Sequence, residues 1–313
     1  MLDDLHDQMV RAAWYYHMEG MTQGDIAGRL NLTRRRVNEM LAEARQTGVV
    51  SISFNSPLQA CAELELALCE AFGLVAAVVV PTPANPEDMH RVLGRAAADF
   101  FYRFIQNHRP KSIGVGWGTT MREIIRAARQ VKLDDVRVYS MMGGLTQGTE
   151  INTFETVRGL AEVLGAKSEY FAAPIYMDTP QSREVVAAQA VFQRTFEAIA
   201  NVDIALANVG DVSEKSLQVR YGLPEGVSAG DLTKAGAVGD LIGRYLDADG
   251  QEIDHVINRL VLAPTFEAFR RIPTRIVVSG GDHKHAIMRA VARAGHVNIV
   301  VTDVDCARAM LAK

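Results

Sequence analysis

Short apolar runs alternate with helical patterns through most of the chain, and only the first 55 residues follow a different pattern. The runs are rich in β-branched residues, and the segments between them place apolar side chains at helical spacing. Continuous apolar strands separated by helices are typical of a parallel sheet covered on both faces. We therefore predict a doubly wound, mostly parallel α/β domain over residues 56–313. The clearest predicted strands are VAAVVV (75–80), SIGVGW (112–117), VRVYSMM (136–142), DIALANVG (203–210), RIVVSGG (275–281) and VNIVVTD (297–303).

The first 55 residues predict three short helices followed by an extended segment. Residues 3–18 form the first predicted helix, which ends at Gly20. Val49 to Phe54 is a candidate wing or exit strand, and Asn55-Ser56-Pro57 is the predicted linker. The two predicted domains are thus residues 1–55 and 56–313. The side chains that helical spacing turns inward in the first helix are Leu5, Met9, Ala12, Ala13 and Tyr16.

Two capped helices joined by a tight turn follow the first helix. Thr22 is a candidate N-cap for a helix that runs to Leu30, with Ile26, Ala27 and Leu30 facing inward. Asn31-Leu32 makes the turn, and Thr33 caps the third helix. The third helix buries one face through apolar residues at i, i+3, i+4 and i+7, which are Val37, Met40, Leu41 and Ala44. This order of elements predicts a winged helix-turn-helix.

Positive charge is concentrated on the third predicted helix, although the whole chain is acidic. The 313 residues hold 33 Lys+Arg and 37 Asp+Glu, a net charge of −4, so no global positive field attracts nucleic acid or a membrane. Residues 29–45 nevertheless hold five arginines against two glutamates. Arginines on a helix that enters a major groove contact guanine edges or phosphates. The predicted contacts to double-stranded operator DNA are Thr22, Gln23, Thr33, Arg34, Arg35, Arg36 and Asn38. The alternative is a helical hairpin whose arginines only face solvent.

Motifs along the whole chain resemble the SorC/DeoR-type sugar-binding transcriptional regulators. YYHMEGMTQGDIAGRLNLTRRRVNEMLAEARQTGVV (15–50) is similar to the helix-turn-helix of that family. Further segments resemble landmarks of that family's effector domain and occur in the same order. They are GVGWGTT (114–120), MMGG (141–144), DIALANVG (203–210), GAVGDLIGRYLDADG (236–250), VVSGGDHKHAIMRA (277–290) and VNIVVTD (297–303). The resemblance implies a Rossmann-like, sugar-phosphate-isomerase-like effector domain and assembly into homodimers or homotetramers. The chain departs from the family at Ala207-Asn208-Val209-Gly210, where a Gly-Ile-Gly type of turn is usual, so we expect an altered pocket floor.

A glycine-rich turn after the second predicted strand indicates a phosphate site. The strand leads through Gly116 into Gly118-Thr119-Thr120 and then into a helix. Small residues let backbone amides approach a ligand, two hydroxyls add donors, and a helix N-terminus favours an anion. The spacing of Gly114, Gly116 and Gly118 is GxGxG and does not match the dinucleotide pattern GxGxxG. An ordinary structural turn is the alternative.

Lys284 strengthens the prediction of a phosphate site. It follows Gly280-Gly281 at the start of a helix, where a cation meets the positive end of the helix dipole. A bound phosphate reverses that penalty, and both loops lie at the edge of the sheet where ligands bind. An exposed lysine beside a flexible loop is the alternative. His283 and His285 flank Lys284, but residues two apart do not share a helix face, so we predict no metal site.

The sugar end of the ligand has weaker candidates. Gly143-Gly144 ends the strand VRVYSMM at the same edge of the sheet and brings backbone close to a sugar. Asp240 is a candidate acceptor for sugar hydroxyls, and an acid on a helix surface is its alternative. By analogy with the family, Arg220 approaches the phosphate. Asn152 is the weakest candidate.

Two classes of function fit these patterns. The first is a DNA-binding transcriptional regulator of a carbohydrate or polyol catabolic operon, controlled by a phosphorylated sugar or polyol. The second is a sugar-phosphate isomerase or deaminase-like enzyme, because a phosphate loop serves either role. Catalysis does not need a helix-turn-helix, and Asp303 has no His or Glu placed beside it by any spacing, so we expect no catalytic residues and no cofactor. A scaffold that uses residues 1–55 for protein contacts leaves the arginines unexplained.

Cysteine usage and the N-terminal sequence predict the compartment. The three cysteines form no CxxC motif and lie in apolar stretches, which favours buried thiols over zinc or disulfides. The N-terminus carries acids where a signal peptide needs positive charge, and no run reaches the ~18 apolar residues of a membrane span. We expect a cytoplasmic protein without membrane attachment.

Overall fold

The computed structural model describes residues 2–50, 58–133, 135–145, 152–214 and 216–312. The chain divides into two compact units, Met1–Ser56 and Pro57–Lys313. Most of the predicted wing and the whole predicted linker lie outside the described residues. In the described part of the chain, no helix combines the length and apolar character needed to cross a membrane.

The first unit contains three helices, α1 (Leu2–His17), α2 (Gln23–Leu30) and α3 (Arg34–Gln46). Both predicted N-caps are confirmed. The Thr22 hydroxyl accepts from the Asp25 amide at 3.3 Å, and the Thr33 hydroxyl accepts from the Arg36 amide at 3.2 Å. Asn31 ends α2 in the left-handed conformation, which produces the tight turn between the two capped helices.

The core of this unit confirms most of the predicted inward positions and corrects two of them. The whole predicted stripe of α3 is buried, and it packs against Met9, Ala12 and Ala13 of α1 and against Ile26 and Ala27 of α2. Leu5 and Tyr16 were predicted to face inward but are 48% and 40% exposed. The buried stripe of α1 spans only the middle of that helix, so side chains near its two ends remain in solvent.

The second unit is built on a seven-stranded, fully parallel sheet with the strand order β1-β10-β9-β5-β2-β3-β4. A separate antiparallel sheet has the order β6-β7-β8. The strands are β1 Ala76–Val80, β2 Ser112–Val115, β3 Arg137–Ser140, β4 Lys167–Glu169, β5 Ile204–Ala207, β6 Val209–Gly210, β7 Gly239–Leu241, β8 Arg244–Leu246, β9 Thr274–Val278 and β10 Ile299–Asp303.

Helices cover both faces of the large sheet. The helices are α4 Leu58–Phe72, α5 Met89–His108, α6 Thr119–Ala127, α7 Thr153–Leu164, α8 Pro180–Ala187, α9 Ala190–Ala200, α10 Leu217–Tyr221, α11 Ala229–Lys234, α12 Val256–Leu260, α13 Phe266–Arg270, α14 His285–Arg293 and α15 Val304–Leu311. Along β5, Ile204 and Leu206 join one apolar core, whereas Ala205 and Ala207 join the other. Successive side chains of a strand point to opposite faces, so the predicted doubly wound class is confirmed.

The structure adds elements that the apolar pattern did not predict. The run 203–210 divides into β5 of the large sheet and β6 of the small sheet, with Asn208 between them. Asp240 lies on strand β7, so the alternative of an acid on a helix surface is wrong. Ile242 and Gly243 form the two-residue turn of the β7–β8 hairpin with φ values of 52° and 78°. Such a turn matches the twist of the paired strands but strains a β-branched residue such as Ile242.

Candidate functional site

The exposed surface of α3 carries the predicted DNA-contacting side chains. Arg34, Arg35 and Asn38 are exposed, and Arg36 is half-buried. Glu39 forms ion pairs with Arg35 at 3.1 Å and with Arg36 at 3.3 Å, and these hydrogen bonds lower the pKa of Glu39. The Arg35 side chain is 90% exposed, and an ion pair this exposed contributes little stability. Among the described residues, Arg34 forms no ion pair.

Side chains of α2 meet this surface of α3. The Gln23 side-chain nitrogen Nε2 donates to the Asn38 side-chain oxygen Oδ1 at 3.4 Å, which joins the start of α2 to α3. The Thr22 and Thr33 hydroxyls are engaged as helix caps. The contact between Gln23 and Asn38 thus connects the predicted residues of α2 with those of α3.

A cavity of about 830 Å³ in the second unit opens at the carboxyl ends of the three central strands, β9, β5 and β2. Its volume lies in the usual range for small-molecule sites. Residues from the loops after these strands, from α5 and from the β7–β8 hairpin line it. The lining includes His90, Trp117, Gly118, Thr119, Thr120, Met142, Asn208, Val209, Gly210, Asp211, Ser213, Ser216, Gln218, Asp240, Ile242, Ser279, His283 and Lys284.

Five of the predicted ligand contacts line this cavity and four do not. Those that line it are Gly118, Thr119, Thr120, Asp240 and Lys284. Those that do not are Gly116, Gly143, Gly144 and Arg220. Arg220 instead is exposed and stacks over the Tyr221 ring at 5.1 Å. Asn152 is the N-cap of α7, where it accepts from the Glu155 amide at 3.0 Å.

Packing within the protein accounts for the three glycines that lie outside the cavity lining. The amide of Gly116 donates to Leu206 of the neighbouring strand, and the amides of Gly143 and Gly144 donate to Leu262 and Ala173. A side chain at Gly143 would collide with the carbonyl of Pro174. These amides already have protein acceptors, so the expectation that Gly143-Gly144 presents its backbone to a sugar is corrected.

Gly118 is the last residue of the turn between β2 and α6. Its φ of 126° is rarely adopted by other residues, and a Cβ there would lie 2.9 Å from the Asn208 side-chain nitrogen. Both the conformation and the close approach of Asn208 therefore require glycine. The chain then enters α6 at Thr119 and Thr120, so both hydroxyls stand at the positive end of a nine-residue helix.

Lys284 is buried, which excludes the alternative of an exposed lysine beside a flexible loop. Its ammonium group donates to the Asp211 carboxylate at 2.8 Å. Burial alone would raise the pKa of Asp211, but attraction and hydrogen bonding to Lys284 lower it below the usual value. Lys284 was predicted as a cation without an acidic partner in the protein, and the structure shows that Asp211 is that partner. Asp211 follows a predicted strand directly, and this position at the carboxyl edge is the signal that would have found it.

Asp240 presents an unpaired carboxylate oxygen at the cavity wall. Its Oδ2 accepts from the Gly243 amide at 3.0 Å, whereas Oδ1 is buried and has no hydrogen-bond partner among the described residues. A Cβ at Gly210 would collide with this oxygen, so glycine leaves the space that the carboxylate occupies. Burial raises the pKa of Asp240 to about 6. An unpaired buried acceptor is costly unless a ligand donor reaches it.

We predict that Asp240→Asn is more stable than the wild type, and that the difference in the free energy of unfolding grows as pH rises. The pKa is raised from 3.8 to about 6 on folding, so wild-type stability falls as pH rises through that interval. An uncharged isostere avoids this loss, with an expected gain of about 3 kcal/mol at pH 8 and about half of that at pH 5. The measurement is denaturant unfolding at both pH values, followed by Trp117 fluorescence in a Trp14→Phe background. Equal stability of the two proteins at pH 8 would contradict the expected charge penalty.

The sequence analysis did not assign three further lining residues as ligand contacts, namely His90, Asn208 and Gln218. His90, at the start of α5, lies with Nδ1 2.9 Å from the Thr120 hydroxyl. Gln218 is buried, and its Nε2 has no hydrogen-bond partner among the described residues. No spacing in the sequence places α5 or α10 at the carboxyl edge of the sheet, so His90 and Gln218 could not be assigned. Asn208 was noted in the sequence only as a departure from the family pattern. In the part of the chain that the structure describes, no three metal-ligating side chains cluster.

Comparisons with known proteins extend over both units. The family model described as "Putative sugar-binding domain" matches residues 56–312. The erythritol catabolism regulatory protein EryD of Brucella abortus is 28% identical over 303 residues, covering 96% of this chain and 95% of that protein. The transcriptional regulator LsrR of Escherichia coli strain SMS-3-5 is 30% identical over 312 residues, covering 97% of this chain and 94% of that protein.

Solved structures share the fold. The full-length sorbitol operon regulator SorC from Klebsiella pneumoniae superposes with a TM-score of 0.74 at 24% identity, covering 99% of this chain and 100% of that chain. A DeoR family transcriptional regulator from Listeria monocytogenes superposes with a TM-score of 0.71 over 80% of this chain and 99% of that chain, also at 24% identity. The similarity therefore covers the three-helix unit as well as the sheet unit.

Proposed function

Since the chain belongs to the SorC/DeoR-type family of transcriptional regulators with a sugar-binding domain, we propose that it is a DNA-binding regulator of a carbohydrate or polyol catabolic operon. Its effector is a phosphorylated sugar or polyol. The observation that carries the proposal is the cavity that brings Gly118–Thr120, Lys284 and Asp240 together. One part of its lining suits an anion and another suits hydroxyl groups.

The anion end consists of the α6 N-terminus, two threonine hydroxyls and the Lys284 ammonium group. Helix amides and a buried ammonium group are common partners of phosphate oxygens. Asp211 holds the Lys284 side chain in place without a ligand, and an arriving phosphate accepts from the remaining N–H donors of the ammonium group. The ion pair thus prepares the site for an anion rather than closing it.

The hydroxyl end is formed by Asp240, whose unpaired Oδ1 accepts from a ligand hydroxyl. A hydroxyl donor removes the penalty of the buried acceptor, so ligands that keep this hydroxyl are favoured over those that lack it. Asn208 adds a side-chain amide beside Gly118, at a position where the family usually has a Gly-Ile-Gly type of turn. The relative named for erythritol catabolism supports a short polyol phosphate as one member of the ligand class.

The first unit supplies DNA binding in this proposal. Arginine contacts to phosphates give affinity for any sequence, and side chains of α3 that read base edges give specificity. One recognition helix reads few bases, so two-fold related copies on a palindromic operator are required. The ligand changes DNA affinity only as far as it binds two arrangements of the protein with different affinities.

The enzyme alternative has less support. EryD and LsrR, which match nearly the whole chain, are named as a regulatory protein and a transcriptional regulator and not as isomerases or deaminases. Asp303, the carboxylate considered for catalysis, caps α15 and accepts the Gly281 amide at 2.8 Å. These structural hydrogen bonds use both oxygens of Asp303.

Calorimetry with erythritol 4-phosphate, sorbitol 6-phosphate and their unphosphorylated parents tests the ligand half of the proposal. We expect a phosphorylated member of a pair to bind at least tenfold more tightly than its parent, because the anion end contributes charge-assisted hydrogen bonds. Ligands that bind the folded state also raise its apparent stability, so a thermal-shift screen of further sugar and polyol phosphates extends the set. Equal affinity of phosphorylated and unphosphorylated forms would contradict a phosphate site.

We also predict that residues 56–313 carry the assembly. Paired recognition helices require an oligomer, and the sheet unit has its own apolar cores, which share no residue with the core of the first unit. A protein without residues 1–55 is therefore expected to remain a dimer or tetramer in light scattering. A monomer at the same concentration at which the full chain is oligomeric would place the assembly in the first unit.

A further inference from the structure

His90 contacts one of the two threonines at the anion end of the cavity. Its Nδ1 lies 2.9 Å from the Thr120 hydroxyl oxygen, and both residues line the cavity. Thr120 is buried, and it occupies the first turn of α6. The contact is therefore formed inside the cavity wall, where water does not compete freely for the threonine hydroxyl.

The threonine hydroxyl has only one proton, so this contact has two alternative forms. If His90 Nδ1 is unprotonated, the Thr120 hydroxyl donates to it and has no proton left for a ligand. If Nδ1 carries a proton, it donates to the Thr120 oxygen, and the hydroxyl proton is free to point into the cavity. Only the second form offers a donor to an anion.

We propose that His90 is a positioning residue that turns the Thr120 hydroxyl toward a bound tetrahedral oxyanion, and that binding of the anion draws a proton onto His90. The proposal rests on the phosphorylated effector of the proposed function. The dianion of a phosphate monoester and inorganic sulfate share the chemistry that this arrangement recognises, because both present oxygens that only accept hydrogen bonds from the site.

The charges around His90 make its protonation depend on the ligand. Burial lowers the pKa of His90, and so do Lys284, His283 and Arg122, whereas Glu123 raises it. His283 has a pKa lowered by burial and Lys284, and it also faces Asp211, Asp282 and His285. A dianion beside Lys284 offsets the positive neighbours, so the pKa of His90 is higher in the complex than in the free protein. Binding of the anion therefore becomes tighter as pH falls.

The test uses the full chain with inorganic sulfate, whose charge is constant between pH 5.5 and 8, and compares it with inorganic phosphate. Affinity is measured from thermal shifts, against sodium chloride at equal ionic strength. In the wild type we expect sulfate to bind about three- to tenfold more tightly at pH 5.5 than at pH 8. Asp240 lines the same cavity and has a pKa of about 6, so the matched control is His283→Gln combined with Asp240→Asn, and the pH dependence that remains in it belongs to His90.

Two substitutions at His90 separate positioning from simple packing. The side-chain nitrogen of Asn reaches the place of Nδ1 and always carries a proton, so His90→Asn is expected to retain sulfate binding at pH 8 and to lose the His90 part of the pH dependence. His90→Leu fills the space but neither orients the Thr120 hydroxyl nor takes up a proton, so it is expected to weaken sulfate binding about tenfold at pH 5.5. A folded His90→Asn variant that is as weak as His90→Leu would overturn the positioning role.

The outcomes also distinguish this inference from the proposed function. Sulfate and phosphate that bind through Lys284 but are unaffected by His90→Leu would overturn the role of His90 and leave the phosphate site standing. A wild-type protein that binds neither anion would contradict the phosphate site itself. The same readout with Lys284→Ala combined with Asp211→Asn establishes which case applies, because that variant removes the ammonium group from the anion end and keeps both His90 and Thr120.

Discussion

Arg34→Ala and Arg35→Ala are each expected to weaken operator binding about 5- to 150-fold while the protein remains folded. Both side chains are exposed on α3, outside its buried stripe. A bidentate contact between arginine and guanine contributes about 1–3 kcal/mol. The exposed ion pair of Arg35 with Glu39 adds little stability, so its loss does not unfold the three-helix unit.

Arg11→Ala is the matched control for these two variants. Arg11 is also exposed and paired with an acid, Asp7 at 2.8 Å, but it belongs to α1 and lies outside the predicted DNA-contacting surface. Each variant removes one positive charge from the same unit. Fluorescence anisotropy with the DNA upstream of the protein's own gene measures binding at one fixed salt concentration. Unchanged binding in both α3 variants, or an equal loss in Arg11→Ala, would exclude α3 as the recognition helix.

Lys284→Ala is expected to weaken binding of a phosphorylated effector at least tenfold and to leave DNA binding without effector unchanged. The substitution removes a buried charge-assisted hydrogen-bond donor from the anion end of the cavity. The variant would then recognise its operator but no longer respond to the effector. Calorimetry with the effector and anisotropy with the operator measure the two properties separately.

The ion pair with Asp211 requires a second variant in this experiment. Lys284→Ala alone leaves the Asp211 carboxylate buried without its partner, which destabilises the second unit. Lys284→Ala combined with Asp211→Asn removes the uncompensated charge and is expected to restore stability without restoring effector binding. Effector binding by the stable double variant at the wild-type affinity would show that Lys284 does not contact the ligand. Catalytic turnover of a sugar phosphate, abolished by Lys284→Ala, would instead favour the enzyme alternative.

Local interactions made parts of this protein predictable from sequence. The N-caps Thr22 and Thr33 act within three residues of their own positions, and the stripe from Val37 to Ala44 follows from helical spacing alone. Six β-branched runs appear as parallel strands, because a strand buried on both faces must be continuously apolar. The shared carboxyl edge of those strands also brought Gly118–Thr120 and Lys284 to one cavity.

Polar partners distant in the sequence were not predictable in the same way. Lys284 and Asp211 are 73 residues apart, and His90 and Thr120 are 30 residues apart. No period or cap relates such positions, because their contact depends on how helices and loops pack across the finished sheet. Gly143 shows the opposite error, since its small size serves packing against Pro174 rather than a ligand.

The sequence by itself determined the helix-turn-helix, the parallel α/β class and the edge of the sheet where the cavity opens. Each of these follows from side chains close along the chain or from the rule that parallel strands share one carboxyl edge. Only the tertiary structure decided that Lys284 is buried against Asp211, that Asp240 projects from a strand with an unpaired oxygen, and that His90 reaches Thr120. The physical reason is that burial and polar pairing are set by elements brought together in three dimensions, and the one-dimensional pattern records only which face of each element is apolar.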